Sequence, residues 1–396
     1  MDQRRRPDTL NDTNKKGTQM NNSKKKSKFK NYLFLLFNIA LYVIPCFVVL
    51  RYADPLNLHP LLELAGFFLA VYAAFIFHII VHEGGHLVFG LLSGYRFSSF
   101  RVFSFMWVKE GESIKFKRHS LAGTGGQCLM SPPDIKDGKM PVVWYNLGGS
   151  LMNIIFGLLF LGGFFLCGEV SILSAILLLF ALLGFALAIL NGVPMRTGTI
   201  DNDGYNAISL TKDAKAREAF WMQMKVVEET TKGVRLRDMP AEWFAVPEDE
   251  AMKNSMVAAR GVFACNRLMD EERFTEADEL MAHLLSIESG MVGIHRSLLI
   301  CERIYVELIT QNRREVIDEK LTKNLQSFMK AMKDNISILR TQYAIALLHE
   351  GDKEKAETIK AQFEKRAKTH PYPHEVAPER DLMAIADAKY QESETA

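Results

Sequence analysis

Cysteine is scarce in this sequence, which has five in 396 residues, all widely separated. None belongs to a CxxC pair, and this argues against a disulfide framework and against a cysteine metal site. A dispersed, odd-numbered set is typical of small buried apolar side chains. The five are Cys46, Cys128, Cys167, Cys265 and Cys301.

Net charge is also lacking, because 48 Lys and Arg oppose 46 Asp and Glu, which leaves a formal charge of +2. The charged residues are distributed very unevenly along the chain, so the net charge by itself says little about partners. We predict three parts: a disordered basic N-terminal tail (1–30), a transmembrane domain (31–206) and a cytoplasmic helical domain (207–396). No nucleic-acid partner is predicted.

The tail holds ten Lys and Arg, three Asp and almost nothing apolar, and an apolar run from Tyr32 to Leu50 follows it. A cleaved signal peptide is the rival interpretation of this run. The long polar lead and the lack of an A-x-A-like site favour a retained anchor. Its basic flank predicts a cytoplasmic N-terminus.

Three further apolar stretches predict a membrane bundle of about four spans. They cover Leu64–Leu92, Val142–Cys167 and Val170 to about Leu190. The predicted fold class is therefore mainly α: a polytopic helical bundle with a small β-hairpin, followed by a soluble all-α helical-repeat domain.

The second span contains the pentapeptide His-Glu-Gly-Gly-His from His82 to His86. Ionisable groups are costly inside a membrane and usually functional there. On a helix, the two imidazoles lie one turn apart on one face and can bind one metal ion. Glu83 lies about 100° round the helix, where a carboxylate can take a proton from metal-bound water. The pattern predicts a Zn2+ site, and a chance match around core histidines is the alternative.

A catalytic zinc commonly has three protein ligands and one open position, so a further ligand is needed. By alternation of the spans, the segment after the fourth span returns to the side of the two histidines. Asp201 and Asp203 are the acids just past that span. Spacing alone does not choose between them, and either can be a turn residue.

Between the second and third spans, the stretches Tyr95–Val108 and Ser113–Arg118 predict a β-hairpin. Glycine- and proline-rich stretches at Thr124–Gly126 and Ser131–Pro133 predict irregular loops. Eight Lys and Arg place this segment in the cytoplasm. The hairpin edge can accept an extended substrate by strand addition, or the hairpin can simply cap the bundle.

The third span carries a polar stripe of Asn146, Ser150 and Asn153 at helical spacing. Such a stripe supports interhelical hydrogen bonding, and its position beside the metal-site helix suggests a share in function.

Three motifs in this order resemble those of the site-2 protease family of intramembrane metalloproteases. The pentapeptide resembles the family's H-E-x-x-H, and Gly149 to Asn153 resembles its G-x-x-x-N. Asn191-Gly192-Val193-Pro194 followed by Asp203-Gly204 resembles its N-x-x-P…D-G segment. The resemblance covers roughly residues 64–206.

This resemblance implies that His82, His86 and Asp203 hold Zn2+, and that Glu83 is the general base. It also implies that Asn153 orients the substrate or its developing charge. The gap between Pro194 and Asp203 is longer than in family members in which a short loop precedes the D-G pair. Asp201 therefore stays an alternative third ligand.

The predicted function is an intramembrane zinc endopeptidase in the cell membrane, with a role in regulated proteolysis or peptide maturation. It would cleave within or near the membrane span of a single-span protein or a remnant signal peptide. One alternative is a non-proteolytic membrane adaptor with a vestigial metal site, against which the intact ionisable groups argue. Another is a metal transporter, which would need more polar residues along a path through the bundle.

The C-terminal half reads as amphipathic helices in three helix-turn-helix units. The second helices open after polar turns, in the stretches Arg273–Ala277, Arg313–Val316 and Asp352–Ala356. The last residues of these stretches, Ala277, Val316 and Ala356, are 39 and 40 residues apart. This spacing predicts a solenoid resembling tetratricopeptide repeats that binds a protein partner, and a plain helical bundle is the alternative.

Overall fold

The computed structural model of the chain describes residues 35–56, 59–111, 113–119, 124–195 and 201–395. The tail predicted to be disordered, residues 1–30, lies outside these ranges, as does the start of the first predicted span, residues 32–34. The described chain is mainly α-helical with a small antiparallel sheet and a helical C-terminal region, which confirms the predicted fold class.

Four helices in the described ranges are long and apolar enough to cross a membrane, judged by length and composition. They are α1 (Leu35–Ala53), α2 (Pro60–Leu92), α3 (Val142–Cys167) and α4 (Ile172–Gly192). The last three contain no proline beyond the first position, so each helix bonds its own backbone throughout, as lipid requires.

The sheet between α2 and α3 is larger than the predicted hairpin. Its strands, in the spatial order β3-β2-β1-β4, are all antiparallel to their neighbours. They are β1 (Arg96–Val102), β2 (Phe105–Glu110), β3 (Ser113–Arg118) and β4 (Gly126–Ser131). The stretch predicted as one strand turns back at Phe103, whose φ is 51°. Strand β4 lies between the two predicted loops and was not predicted.

The rest of the described chain is mainly α-helical, with turns and short 3-10 helices between the α-helices. They are α5 (Asp203–Lys212), α6 (Ala214–Thr231), α7 (Ser255–Asp270), α8 (Phe274–Ser286), α9 (Gly293–Ile309), α10 (Arg314–Lys320), α11 (Lys323–Ala331), α12 (Ile336–Ala344), α13 (Lys353–Ala367) and α14 (Pro373–Thr395). Helices α8, α10 and α13 begin at the polar turns expected from the sequence. The tetratricopeptide-like repeat and its partner surface stay predictions.

Internal contacts divide the chain into two compact units. The first comprises residues 1–76 and 154–190. In its described part, Ala74, Leu179 and Leu183 are buried together. Side chains such as Leu62 and Leu166 are 72% and 89% exposed, which is typical of surfaces that face lipid.

The second unit comprises residues 77–153 and 191–396, and it contains every predicted site residue. Its main core joins the sheet to the C-terminal helices, because Met130 and Tyr145 belong to the same buried cluster as Phe220 and Leu284. The domain boundary drawn from the sequence at residues 206 and 207 stays a prediction.

The two central glycines of the His82–His86 pentapeptide have different surroundings. A Cβ on Gly85 would overlap the carbonyl oxygen of Gly148, because the backbones of α2 and α3 touch there. A Cβ on Gly84 would meet nothing within 4 Å. Only Gly85 is therefore needed for the close crossing of the two helices.

We expect Gly85→Ala to lower the free energy of unfolding by about 1–3 kcal/mol, because the helix backbones must separate. Gly84→Ala should be neutral or stabilise by up to about 1 kcal/mol, because alanine reduces backbone freedom without a clash. Thermal unfolding of the two purified variants in one detergent measures the difference. Equal unfolding temperatures for both would contradict the close crossing.

Candidate metal centre

Helix α2 brings two imidazoles together, and the start of α5 adds a carboxylate. The Nε2 atom of His82 lies 3.1 Å from Oδ2 of Asp203 and 3.1 Å from Nε2 of His86. The Nε2 atom of His86 lies 3.5 Å from the same carboxylate oxygen. A tetrahedral zinc ion, with bonds of about 2.0–2.1 Å, separates its ligand atoms by about 3.3 Å. These three donors therefore fit one zinc ion without rearrangement.

Asp203 is fixed by the residues on either side of it. Asn202 caps α5 by accepting a hydrogen bond from the backbone N–H of Tyr205 at 3.0 Å, and its amide group donates to the carbonyl oxygen of Val193 at 2.6 Å. At Gly204, a Cβ would overlap the backbone of Gly192. The end of α4 and the first turn of α5 are thus held together, and Asp203 points to the histidines.

Asp201, the other predicted candidate, has a different position. Its carboxylate accepts a hydrogen bond from the hydroxyl group of Ser255, the first residue of α7. The group of three metal-binding donors formed by described residues includes Asp203 and not Asp201.

The surroundings of Asp203 favour its ionised form. Burial opposes ionisation, but the imidazoles of His86 and His82 hold the pKa of the Asp203 carboxyl well below its usual range. The carboxylate is the form that binds a metal ion.

The orientation of His86 is set by a backbone carbonyl that the sequence analysis did not find. Its Nδ1 atom donates to the carbonyl oxygen of Tyr145 at 2.7 Å, which leaves Nε2 free to bind a metal ion. The ring of Tyr145 stacks on Tyr95 at 4.7 Å, and its hydroxyl group donates to the carbonyl oxygen of Cys128 at 2.8 Å. Every residue type has a backbone carbonyl, so no sequence motif could reveal this contact.

Asn153 is fully buried, and its amide group lies between two histidines of α2. It is 3.2 Å from Nδ1 of His78 and 3.3 Å from Nδ1 of His82. When Nε2 of His82 binds a metal ion, its Nδ1 carries the hydrogen and needs an acceptor. The amide oxygen of Asn153 serves as that acceptor once the amide turns its oxygen towards His82.

The other two members of the polar stripe on α3 have different environments. Asn146 donates to the carbonyl oxygen of Val142 in its own helix at 2.7 Å. The hydroxyl group of Ser150 is buried without a hydrogen-bond partner among the described residues. Within the described chain, the stripe therefore reaches α2 through Asn153.

Glu83 lies beside the start of β4 and is 8% exposed. A Cβ on Gly126 would overlap its carboxyl group, so a larger residue at that position of the strand would displace the Glu83 side chain. Arg101 supports this strand from β1: its guanidinium donates to the carbonyl oxygens of Phe103 at 2.8 Å and Gly126 at 3.2 Å. Arg101 contributed to the count of cytoplasmic cations in the sequence, but it is 1% exposed.

Three donors that could hold one metal ion, with a carboxylate on the same helix as two of them, are the elements of a hydrolytic metal centre. The carboxylate of Glu83 comes from the same helix as both imidazoles, so the helix geometry fixes its position relative to the metal-binding donors.

Comparison with known proteins gives one family match. Residues 39–227 match the family model described as Peptidase M50B-like. This range includes α2, α3, α4, the sheet and all the residues of the candidate centre. No curated protein and no solved structure matches the chain. The matched segment, residues 39–227, belongs to the Peptidase M50B-like family, which is the site-2 protease family of intramembrane metalloproteases.

Proposed function

We propose that this chain is an intramembrane zinc endopeptidase that hydrolyses peptide bonds within or near the membrane spans of other proteins. The observation that carries the proposal is the convergence of His82, His86 and Asp203 at separations of 3.1–3.5 Å, with Glu83 beside them. Its substrates would be proteins with a single span or remnant signal peptides, in regulated proteolysis or peptide maturation.

In the proposed mechanism, His82, His86 and Asp203 would hold a zinc ion, which would supply a Lewis acid and promote the ionisation of water. Glu83 accepts a proton from the water molecule that attacks the peptide carbonyl carbon. Glu83 then donates the proton to the amine nitrogen as the C–N bond breaks. The start of β4 lies against the carboxyl group of Glu83.

Asn153 has two proposed roles. The resemblance implies that it orients the substrate or its developing charge. Its burial and its contact with His82 favour a positioning role, in which the amide group fixes the ring of a zinc ligand.

The substrate segment must unwind, because an intact helix keeps its carbonyls in its own hydrogen bonds. We propose that the unwound segment lies along the start of β4. This strand is the one that contacts Glu83, and it pairs with β1 alone among the described strands.

We expect Glu83→Gln to abolish cleavage while zinc binding stays near one ion per chain. Glutamine keeps the shape of the side chain but cannot accept the proton. Cleavage of a single-span model substrate and the zinc content of the same preparation are the two measurements. If the variant matches the parent in cells, the non-proteolytic adaptor is the better explanation.

The third ligand can be tested with a matched pair of aspartate variants. Asp203→Asn should weaken zinc binding at least about tenfold, because it removes an anionic ligand. Asp201→Asn should leave the zinc affinity within about twofold of the parent, since its partner is Ser255. Zinc affinity measured by competition with a chelating dye distinguishes the two, and the reverse pattern would assign Asp201 as the ligand.

We propose further that the N-terminus and the C-terminal helices face the cytoplasm, because the segment between α2 and α3 is richer in Lys and Arg than the segment between α1 and α2. In a variant without native cysteines, Glu169→Cys should react with a membrane-impermeant maleimide in intact cells. Glu357→Cys should react only after permeabilisation. Both residues are exposed, so the opposite labelling pattern would reverse the orientation.

A further inference from the structure

The C-terminal helices of the second unit enclose a cavity of about 430 Å³, walled by α6, α7, α9, α12 and α14. This volume lies within the range of about 300–1,000 Å³ that is usual for ligand sites. None of the residues of the candidate metal centre lines it. The cavity is therefore a second site, separate from the proposed chemistry.

Its two arginines are already fully paired. Arg340 is 1% exposed and donates to Glu302 at 2.7 Å and to Glu379 at 2.9 Å. Each guanidinium needs one carboxylate for charge balance, so the second acid leaves a surplus negative charge on this group of three.

The ion-pair group around the other arginine, Arg235, has the same surplus of negative charge. Arg235 pairs with Asp381 at 2.7 Å and with Asp270, which is 5% exposed. The two arginine groups together carry four carboxylates and two guanidinium groups, all of them at the cavity wall.

Two further acids line the cavity and are exposed, Glu272 and Glu375. Neither has a lysine or arginine within salt-bridge distance in the described part of the chain, but Oε2 of Glu375 lies 3.8 Å from Nε2 of His370. Loss of solvent around its carboxyl group and the charge of Glu379 raise the pKa of Glu375 to about 7, so this group is partly ionised at neutral pH. Burial lowers the pKa of His295 and of His370, so these two lining imidazoles add no positive charge at neutral pH. The lining thus carries six carboxyl groups against two guanidinium groups, an excess of acid.

The rest of the lining is apolar and includes Val262, Leu298 and Leu382. Lysine and arginine side chains pack their aliphatic stems on apolar surface and present the charged end to acids. A cavity with both features fits such side chains better than it fits a wholly apolar or an anionic ligand.

The cavity wall is also joined to the sheet. His370 lines the cavity, and the next two residues of the chain contact the strands. Lys117 of β3 donates to the carbonyl oxygen of Pro371 at 3.0 Å, and the hydroxyl group of Tyr372 lies 3.2 Å from that of Ser99 on β1. A peptide held in the cavity is therefore held by the compact unit that carries Glu83.

We propose that this cavity binds lysine and arginine side chains in the cytoplasmic flank of the substrate. The inference rests on the proposed function and orientation. Membrane spans carry an excess of Lys and Arg in their cytoplasmic flanks, so a substrate of the proposed protease presents such side chains on this side. The cavity would then select and hold the substrate while its span enters the metal centre.

Binding can be tested without catalysis. Full-length Glu83→Gln protein in nanodiscs of uncharged lipid is titrated with a fluorescent lysine-rich peptide and with its glutamine counterpart. We expect only the lysine peptide to bind. Two further substitutions in the Glu83→Gln protein, Glu272→Lys and Glu375→Lys (the cavity pair), should weaken binding of the lysine peptide about tenfold or more. The control pair Glu279→Lys and Glu315→Lys, which makes the same charge change at exposed positions away from the cavity, should change it less than twofold.

Cleavage provides the second measurement. For a model substrate with a lysine-rich flank, the cavity pair should raise KM about tenfold and leave kcat unchanged. A model substrate with an acidic flank should have a low KM for the variant that carries the cavity pair. In that combination, the charge of the substrate flank and the charge of the cavity are both reversed. Equal KM values for the cavity and control pairs, or equal binding of both peptides, would overturn the proposal. Peptide binding without any cleavage by the parent would retain the cation site and instead contradict the proposed protease.

Discussion

The metal centre depends on one long-range contact, between the carboxylate of Asp203 and the imidazole of His82, 121 residues earlier. Three polar donors gathered in an apolar setting are costly unless each has a partner of suitable charge. Asp203 supplies that partner to both histidines at once. The cap at Asn202 and the contact of Gly204 with Gly192 fix the start of α5, and with it the position of Asp203.

Much of this architecture could be predicted from the sequence, because long apolar runs and the helical period are strong signals. The bounds of α3 agree with the hydropathy pattern, and the i, i+4 spacing of His82 and His86 is enough to place both on one face. Asp201 and Asp203 could not be separated in this way. Both follow the same span, and only tertiary contacts bring Ser255 to one and the histidines to the other.

Other parts of the centre give little signal in the sequence. Strand β4 begins with Gly126 and Gln127 and lacks β-branched residues, so propensity argues against a strand. Pairing with β1 and packing against Glu83 decide its conformation. Tyr145 orients His86 through its backbone, and the burial of Arg101 depends on carbonyl oxygens at Phe103 and Gly126. Such contacts depend on where the backbone lies, which residue types do not reveal.

The buried cluster shared by the sheet and the C-terminal helices has a consequence for how this protein can be divided. Tyr145, whose carbonyl accepts a hydrogen bond from His86, packs its ring 6.2 Å from that of Phe220 on α6, and Glu228 of the same helix accepts a hydrogen bond from Arg96 of β1. The C-terminal helices thus complete the buried core beneath the candidate metal centre. A truncation after residue 206 would remove the apolar cover of the sheet, so a minimal folded unit that carries this centre must keep at least α6.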